Sequence, residues 1–266
     1  MSAFAIYERF QRVSDIVLTL AFLLGLWELC TWLFGIKAFL LPAPTAVLAA
    51  FLANPMLYLR EAGSTLLETL LGFVAAVVIG VLTAIGIVYS RFLERTFYTV
   101  LVTLNAIPKI ALAPLFIVWL GTDLAPKIAI ALLVAVFPIV IDTVLGLKSV
   151  DPDMLDLAKS LKGSRSRTLW KIRLPNALPS IFAGLKVGIS FAFIGAIVGE
   201  FVASQTGLGY LVVAAQASFD TAKMFAAILL LSLIGSVLFY AVEWLERLVI
   251  PWHVSHRQAT GKVAHV

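Results

Sequence analysis

The sequence predicts an all-α integral membrane protein with six transmembrane helices, and two observations support that prediction. First, 61% of the 266 residues are hydrophobic and 13% are charged, with a mean hydropathy of +1.02. Soluble domains average roughly 45–50% apolar and about 25% charged residues, so a soluble core could not hide this much apolar surface. Second, apolar runs of about 20 residues recur, which is the length that crosses a bilayer. The lone Cys30 lies in an apolar run, so the chain offers neither an intrachain disulfide nor a thiol–metal cluster.

The chain divides into a short N-terminal segment, a transmembrane region and a polar tail. Residues 1–15 combine apolar side chains with Glu8, Arg9 and Arg12, which predicts an interfacial helix along the membrane surface. Residues 16–250 form the predicted transmembrane domain, and residues 251–266 form a cytoplasmic tail. No small-residue cleavage site closes the first apolar run, so we interpret it as a span and not as a signal peptide. The six predicted spans are residues 16–36, 66–89, 97–120, 127–147, 180–202 and 224–249.

Basic residues predict the orientation of these spans. With the N-terminus inside, fourteen lysines and arginines fall in cytoplasmic segments and four fall on the opposite side. This bias is a strong positive-inside signal, so both termini are predicted to be cytoplasmic. The topology also accounts for the net charge of +5, which leaves no reason to expect nucleic-acid binding.

The second and fifth predicted spans each carry a ridge of small residues at every fourth position. Small residues at this spacing let helix backbones approach closely within a membrane. We interpret the ridges as intrachain packing surfaces in preference to subunit interfaces. They consist of Gly72, Ala76, Gly80 and Ala84 in the second span, and of Gly184, Gly188, Ala192 and Ala196 in the fifth.

The sequence lacks the motifs of a membrane enzyme. It contains no H-E-x-x-H zinc motif, no G-x-S-x-G nucleophile motif and no G-x-x-x-x-G-K-[ST] phosphate-binding loop. All three histidines, His253, His256 and His265, lie in the polar tail. We therefore expect no catalytic site, no metal site and no cofactor in this chain. Any ATP hydrolysis that drives its work must occur in a partner subunit.

Ionisable residues inside spans are costly, so they are functional candidates by default. They are Glu28, Glu68, Lys109, Asp142, Lys186 and Glu200. Most of them, including Glu68, Asp142 and Lys186, lie near span ends, where a long side chain can reach the interface. Lys109 and Glu200 are the two candidates for the translocation path.

Alternatives stay open for both candidates. Lys109 lies between Pro108 and Pro114 in the irregular third span, where broken helices either line a cavity or pack within protein. It is therefore either a pathway residue that favours an anionic or polar solute, or a locally satisfied lysine at a kink. Glu200 precedes the polar stretch "SQTGLG" near the outer end of the fifth span. It is a pathway residue, a partner for a backbone turn, or a gate.

One long polar segment separates the fourth and fifth spans on the cytoplasmic side. Residues 151–180 contain six of the twenty basic residues. Asp151 or Asp153 is expected to cap a short helix, with Pro152 in its first turn and Gly163 at its end. Helical spacing places Met154, Leu155, Ala158 and Leu161 on one apolar face. An apolar face outside the membrane is typical of a helix that docks in a partner's groove.

This segment resembles the cytoplasmic coupling loop of permease subunits of bacterial ATP-binding-cassette importers. In that family the loop reads E-A-A, three residues, G, nine residues, then I-x-L-P. Asp156, Leu157 and Ala158 stand at the E-A-A positions, and "IRLP" supplies the last motif. Lys162 occupies the usual Gly position, so we expect the helix to end one residue late, at Gly163. The resemblance assigns ATPase coupling, within a loop at about 148–176, to Asp156, Leu157, Ala158, Lys159, Ser160, Leu161, Lys162, Gly163, Ile172, Leu174 and Pro175.

Three further segments are similar to the nitrate/sulfonate/taurine-type branch of this family. They are "LLPAPTAVLAAF", "IPKIALAPLFIVWLG" and "GEFVASQTGLGYLVVAAQ". The resemblance implies a type I importer permease fold in the bacterial inner membrane. It also implies a second permease copy as a homodimer, two cytoplasmic ATP-binding subunits and an extracytoplasmic solute-binding protein. The implied cargo is a small solute, either sulfonate, nitrate or taurine, or a heteroaromatic vitamin precursor such as hydroxymethylpyrimidine or riboflavin.

A secondary transporter that is not coupled to ATP is the alternative function. Such a protein should show intramembrane carboxylates paired across an inverted repeat. The sequence shows no such repeat, and the coupling loop would then have no purpose. The importer interpretation is therefore favoured.

Overall fold

The structure is a computed structural model that describes residues 3–90, 92–93, 103 and 107–252, with the side chains of residues 3–13, 16 and 203 left undescribed. Within those ranges every regular element is helical, which confirms the all-α prediction. The helices are α1 (Ala3–Leu33), α2 (Pro44–Ala53), α3 (Pro55–Tyr89), α4 (Ala113–Leu120), α5 (Leu124–Lys148), α6 (Pro152–Ser160), α7 (Arg165–Thr168), α8 (Leu174–Ala203), α9 (Leu208–Ala217) and α10 (Thr221–Val249).

Among the described residues, four helices are long and apolar enough to cross a bilayer. Helix α3 matches the second predicted span and α5 matches the fourth. The continuous helix Arg165–Val202, which runs through α8, matches the fifth span, and α10 matches the sixth. The apolar part of α1, Val17–Leu33, is shorter. Because α1 runs unbroken from Ala3, the predicted interfacial segment and the first span belong to one helix. That the segment lies along the membrane surface stays a prediction.

The described half of the third predicted span is not a regular helix. Pro108 precedes a 3-10 turn at Lys109–Leu112, and Pro114 lies in the first turn of α4. Proline restricts its own backbone and has no N–H to donate, so it favours such helix starts. The other half of this span, residues 97–106 except residue 103, lies outside the described residues.

Helix α5 forms the centre of the fold and packs against both α3 and α8. The two ridges of small residues make these contacts. A Cβ added at Gly72 would lie 2.5 Å from the Cβ of Ala131, and one added at Gly188 would lie 2.8 Å from Cδ1 of Ile139. Both ridges therefore contact α5 of the same chain, which is the intrachain packing that the sequence favours.

The helix of the fifth predicted span begins earlier than predicted. It starts at Arg165 and not at residue 180, because α7 continues through a wider π-helical turn at Leu169–Arg173 into α8. The wide turn directly precedes Pro175, whose nitrogen cannot donate to the carbonyl of Lys171. The second half of the predicted coupling loop is thus a helical extension of α8.

Candidate functional site

Helix α6 forms the first half of the coupling loop, and its N-terminus is capped as predicted. The carboxylate of Asp151 accepts a hydrogen bond of 2.9 Å from the backbone N–H of Asp153, and Pro152 lies in the first turn. Asp156 and Lys159 form an exposed ion pair of 2.7 Å on the same helix. Such a pair contributes little stability, so the helix depends on its cap and its packing.

An apolar stripe of α6 faces away from the protein. Met154, Leu157 and Leu161 are 53%, 61% and 74% exposed, whereas Leu155 and Ala158 are half-buried. The predicted apolar face is therefore split, and Leu157 joins its outward part. Trp170, on the neighbouring π-helical turn, is also exposed. This aromatic side chain was missed in the sequence, where it reads as one more apolar residue.

The C-terminus of α6 corrects one expectation. Lys162 itself adopts the left-handed conformation, with φ of 53°, and the N–H of Gly163 donates to the carbonyl of Ala158 at 2.9 Å. The prediction that the helix ends one residue late, at Gly163, is wrong. Lys162 keeps the backbone reversal at the position where the family has Gly, although a side chain makes that conformation unfavourable.

We predict that Lys162→Gly stabilises α6 by about 1 kcal/mol, because Gly adopts the left-handed region without the steric cost of a Cβ. Hydrogen exchange of the amides in residues 152–163 would measure this change as slower exchange. Lys159→Gly is the matched control, because it puts Gly inside the same helix and should speed exchange. Equal or faster exchange in Lys162→Gly would contradict the assignment of strain to Lys162.

The second half of the predicted coupling loop packs against the long helices. Leu169 is buried and packs with Leu147 of α5 and with Ala177 and Ile181 of α8. The guanidinium of Arg173 donates to the carbonyl of Leu147 at 3.2 Å. Ile172 and Leu174 are half-buried in this region, and Pro175 is exposed. These packed and hydrogen-bonded groups join the second half of the predicted coupling loop to α5 and α8.

A buried polar cluster lies at the other end of α5, where Lys127 is twenty-one residues before Lys148, or about 30 Å along the helix. Its acidic and hydroxyl members come from one stripe of α3 and from the end of α8. They are Glu61, Thr65, Glu68 and Glu200, and each of them is less than one-tenth exposed.

The cluster holds three successive amides at the start of α9. Glu61 accepts from the N–H of Gly207 at 2.6 Å, the Thr65 hydroxyl accepts from the N–H of Leu208 at 2.9 Å, and Glu200 accepts from the N–H of Gly209 at 2.5 Å. The Thr65 hydroxyl donates to the second oxygen of Glu200 at 2.6 Å. We call this arrangement the α9 clasp. It satisfies helix-start amides that have no partner within the helix.

Lys127 and Glu68 form a buried ion pair beside the clasp, with Nζ and Oε1 2.5 Å apart. Lys127 also donates to the Thr206 hydroxyl at 3.3 Å. Both side chains border a cavity of about 440 Å³. Its other polar lining residues are Ser64, Thr122, Asp123, Ser204, Gln205 and Thr206.

The structure does not bring the two predicted pathway residues together. The ammonium of Lys109 lies 4.3 Å from the ring centroid of Phe137 on α5. Gly199, the neighbour of Glu200 in the chain, instead packs on Lys127, which is ten residues or about 15 Å earlier along that helix. The carboxylate of Glu200 accepts a hydrogen bond from the N–H of Gly209. Of the three alternatives for Glu200, its described contacts match the partner for a backbone turn. The pathway role of both residues stays a prediction.

Two expectations about ionisable residues need correction. Glu68 is 1% exposed and pairs with Lys127, so it does not extend to the interface. Lys186 pairs with Glu246 of α10 at 2.8 Å instead of reaching the interface. Glu61, Thr65 and Lys127 were missed as site residues. Spacing offered one usable signal, since residues 61, 65 and 68 share a face of an otherwise apolar helix.

Comparison with known proteins decides the family. Residues 76–251 match the model of the binding-protein-dependent transport system inner membrane component. The chain belongs to this family. The permease is 36% identical to a probable ABC transporter permease protein of Haemophilus influenzae, over 88% of this chain and 96% of the relative.

Two relatives with named solutes are also similar to the permease. A formylaminopyrimidine transport permease protein of Halalkalibacterium halodurans is 31% identical over 92% of this chain and 98% of the relative. A riboflavin transport system permease protein of Chloroflexus aurantiacus is 36% identical over 93% of this chain and 94% of the relative.

A solved structure of the MetNI methionine ABC transporter in an inward-facing conformation shares the fold of the permease. Its TM-score is 0.66 at 19% sequence identity, and the match covers 74% of this chain and 98% of that chain. The type I importer permease fold predicted from the coupling loop is therefore confirmed. The permease is a transport component of an ATP-binding-cassette importer.

Proposed function

We propose that α6 is the element through which the permease receives the energy of ATP. The observation that carries this proposal is the apolar stripe of Met154, Leu157 and Leu161, exposed on a helix outside the long apolar helices. A nine-residue helix is too short to be stable alone, and burial of its apolar face in a groove of an ATP-binding subunit would stabilise it. The proposed partners are two such cytoplasmic subunits. Hydrolysis takes place in them, and no catalytic site is proposed in this chain.

Force would pass from α6 to the spans through the contacts of Leu169 and Arg173 with Leu147. ATP binding draws the two partner subunits together, and each α6 moves with its own partner. The linked helices α5 and α8 then switch the central path from inward-facing to outward-facing, and hydrolysis resets the cycle. The coupling residues transmit force and break no bonds.

A second copy of the permease completes the proposed path. One chain supplies one half of it, because a single unit of six spans has little room for a solute pathway. An extracytoplasmic binding protein delivers the solute to the outward-facing dimer. The charge bias of the sequence supports a bacterial inner-membrane location with both termini cytoplasmic.

The solute is proposed to be a small heteroaromatic vitamin precursor. The relatives named for formylaminopyrimidine and riboflavin are 31% and 36% identical to this chain, whereas the Escherichia coli taurine permease is 29% identical. The binding protein carries most of the selectivity in importers of this kind, so the permease's own residues contribute less to the choice of solute.

Copurification from native membranes tests the proposed function. The tagged, intact chain should retain an ATP-binding subunit, and the complex should hydrolyse ATP. A well-folded chain that retains no such subunit, together with uptake that is insensitive to ATP depletion, would instead support the secondary transporter.

A further inference from the structure

The polar cluster beside the α9 clasp has more buried acid than buried base. Glu61, Glu68 and Glu200 are 7%, 1% and 1% exposed, and Lys127 is 4% exposed. Asp123, which lines the same cavity as Lys127, adds a further exposed carboxylate, and α9 contributes no charged side chain. If all three buried carboxyl groups were ionised, two negative charges would stay uncompensated except by the start of α9, which supplies about half a positive charge. Unpaired buried charge is costly, so full ionisation is disfavoured.

The hydrogen-bond partners show which of the buried carboxyl groups lack a compensating donor. Glu61 accepts from Gly207, and Oε1 of Glu68 accepts from Lys127. Oε2 of Glu68 is buried and has no donor among the described residues. The carboxyl groups of Glu68 and Glu200 are neighbours, because Glu200 bonds to the Thr65 hydroxyl one helical turn before Glu68. Gly199, next to Glu200, also packs on Lys127, the partner of Glu68. Ionised carboxylates only accept hydrogen bonds, so two ionised neighbours would lack a donor between them.

We propose that Glu68 and Glu200 form a proton-binding site that holds one proton between their carboxyl groups. The proton is carried by Glu200 and donated to Oε2 of Glu68, because Glu68 must keep its negative charge to pair with Lys127. The proton comes from a hydronium ion of the solvent that reaches the cavity bordering Glu68. One O–H bond of hydronium breaks as the O–H bond of the carboxylic acid forms, and a water molecule is left.

The bound proton has a structural consequence for the α9 clasp. A protonated Glu200 still presents oxygen lone pairs to the Thr65 hydroxyl and to the N–H of Gly209. It adds the donor that Oε2 of Glu68 lacks and removes one unit of buried negative charge. Glu200 therefore acts as a positioning residue that joins the ion pair of α3 and α5 to the start of α9.

Infrared spectroscopy of the purified full chain in lipid nanodiscs tests this proposal. At neutral pH an ordinary glutamate is ionised, so the carbonyl stretch of a protonated carboxylic acid identifies an unusual group. We expect such a band in the unmodified chain and its loss in Glu200→Gln. Glu243→Gln is the matched control, because Glu243 pairs with Arg247 at the far end of α10 and should leave the band intact. Absence of the band, or its survival in Glu200→Gln, would overturn the proposal.

A second variant keeps the test decisive if Glu200→Gln fails to fold. In Glu68→Gln the acceptor of the Glu200 proton changes from a carboxylate to an amide, so the band should shift in frequency or disappear. An unaltered band in Glu68→Gln would place the proton elsewhere and overturn the proposal. Neither measurement depends on solute uptake, so a failure of the importer proposal would leave this result intact.

Discussion

Gly207→Ala is expected to cost the permease several kcal/mol of stability and to detach the start of α9. Gly207 has φ of 103°, a backbone region that is nearly restricted to Gly and costs other residues of order 1–3 kcal/mol. A Cβ at this position would also overlap the carboxyl group of Glu200. Thermal unfolding in lipid nanodiscs should show a large fall in melting temperature.

Gly121→Ala separates the two contributions to this effect. Gly121 also has a positive φ, 85°, but a Cβ there meets no atom within 4 Å. It should therefore lower the melting temperature by the cost of backbone strain alone. If the two variants melt at the same temperature, the close contact between Gly207 and Glu200 is not important for stability.

Lys127→Met is expected to destabilise the permease by about 3–5 kcal/mol, because it leaves the Glu68 carboxylate buried without its counter-ion. The double variant Lys127→Met with Glu68→Gln removes both charges and should recover much of that loss. Chemical unfolding of the single and double variants measures the coupling between the two side chains.

Lys159→Met is the matched control for this prediction. Its ion pair with Asp156 has a similar length, 2.7 Å, but both side chains are more than two-thirds exposed. The expected change is within about 0.5 kcal/mol. A loss in Lys127→Met no larger than in Lys159→Met would contradict the importance of the buried pair.

Local patterns made much of this fold predictable. Hydropathy located α3, α5, α8 and α10, since each must present about 20 apolar residues to lipid. Asp151 and Pro152 predicted the start of α6, because a cap and its helix are adjacent in sequence.

The polar cluster could not be predicted in the same way, because its partners are distant in the chain. Glu68 and Lys127 are separated by 59 positions, and Glu61 and Gly207 by 146. Each acidic residue taken alone resembles a side chain that extends to the membrane interface. Only the packing of α3 and α8 against α5 shows that these groups meet in a buried site. The left-handed conformation of Lys162 was equally hidden, since residue type favours Gly163 for that role.

The docking role of α6 is tested most directly with the double variant Leu157→Asp with Leu161→Asp. The measurement is the amount of ATP-binding subunit that this variant retains. Leu157 on α6 and Leu161 at its C-cap are both exposed, so the changes should leave the spans folded while placing charge in the proposed apolar contact. Ser166→Asp, an exposed change in α7 of the same loop, is the control. We predict at least about a tenfold loss of retention in the double variant, equivalent to about 1.4 kcal/mol, and none in the control. Equal retention by the double variant and the control would contradict the assignment of α6 as the docking element.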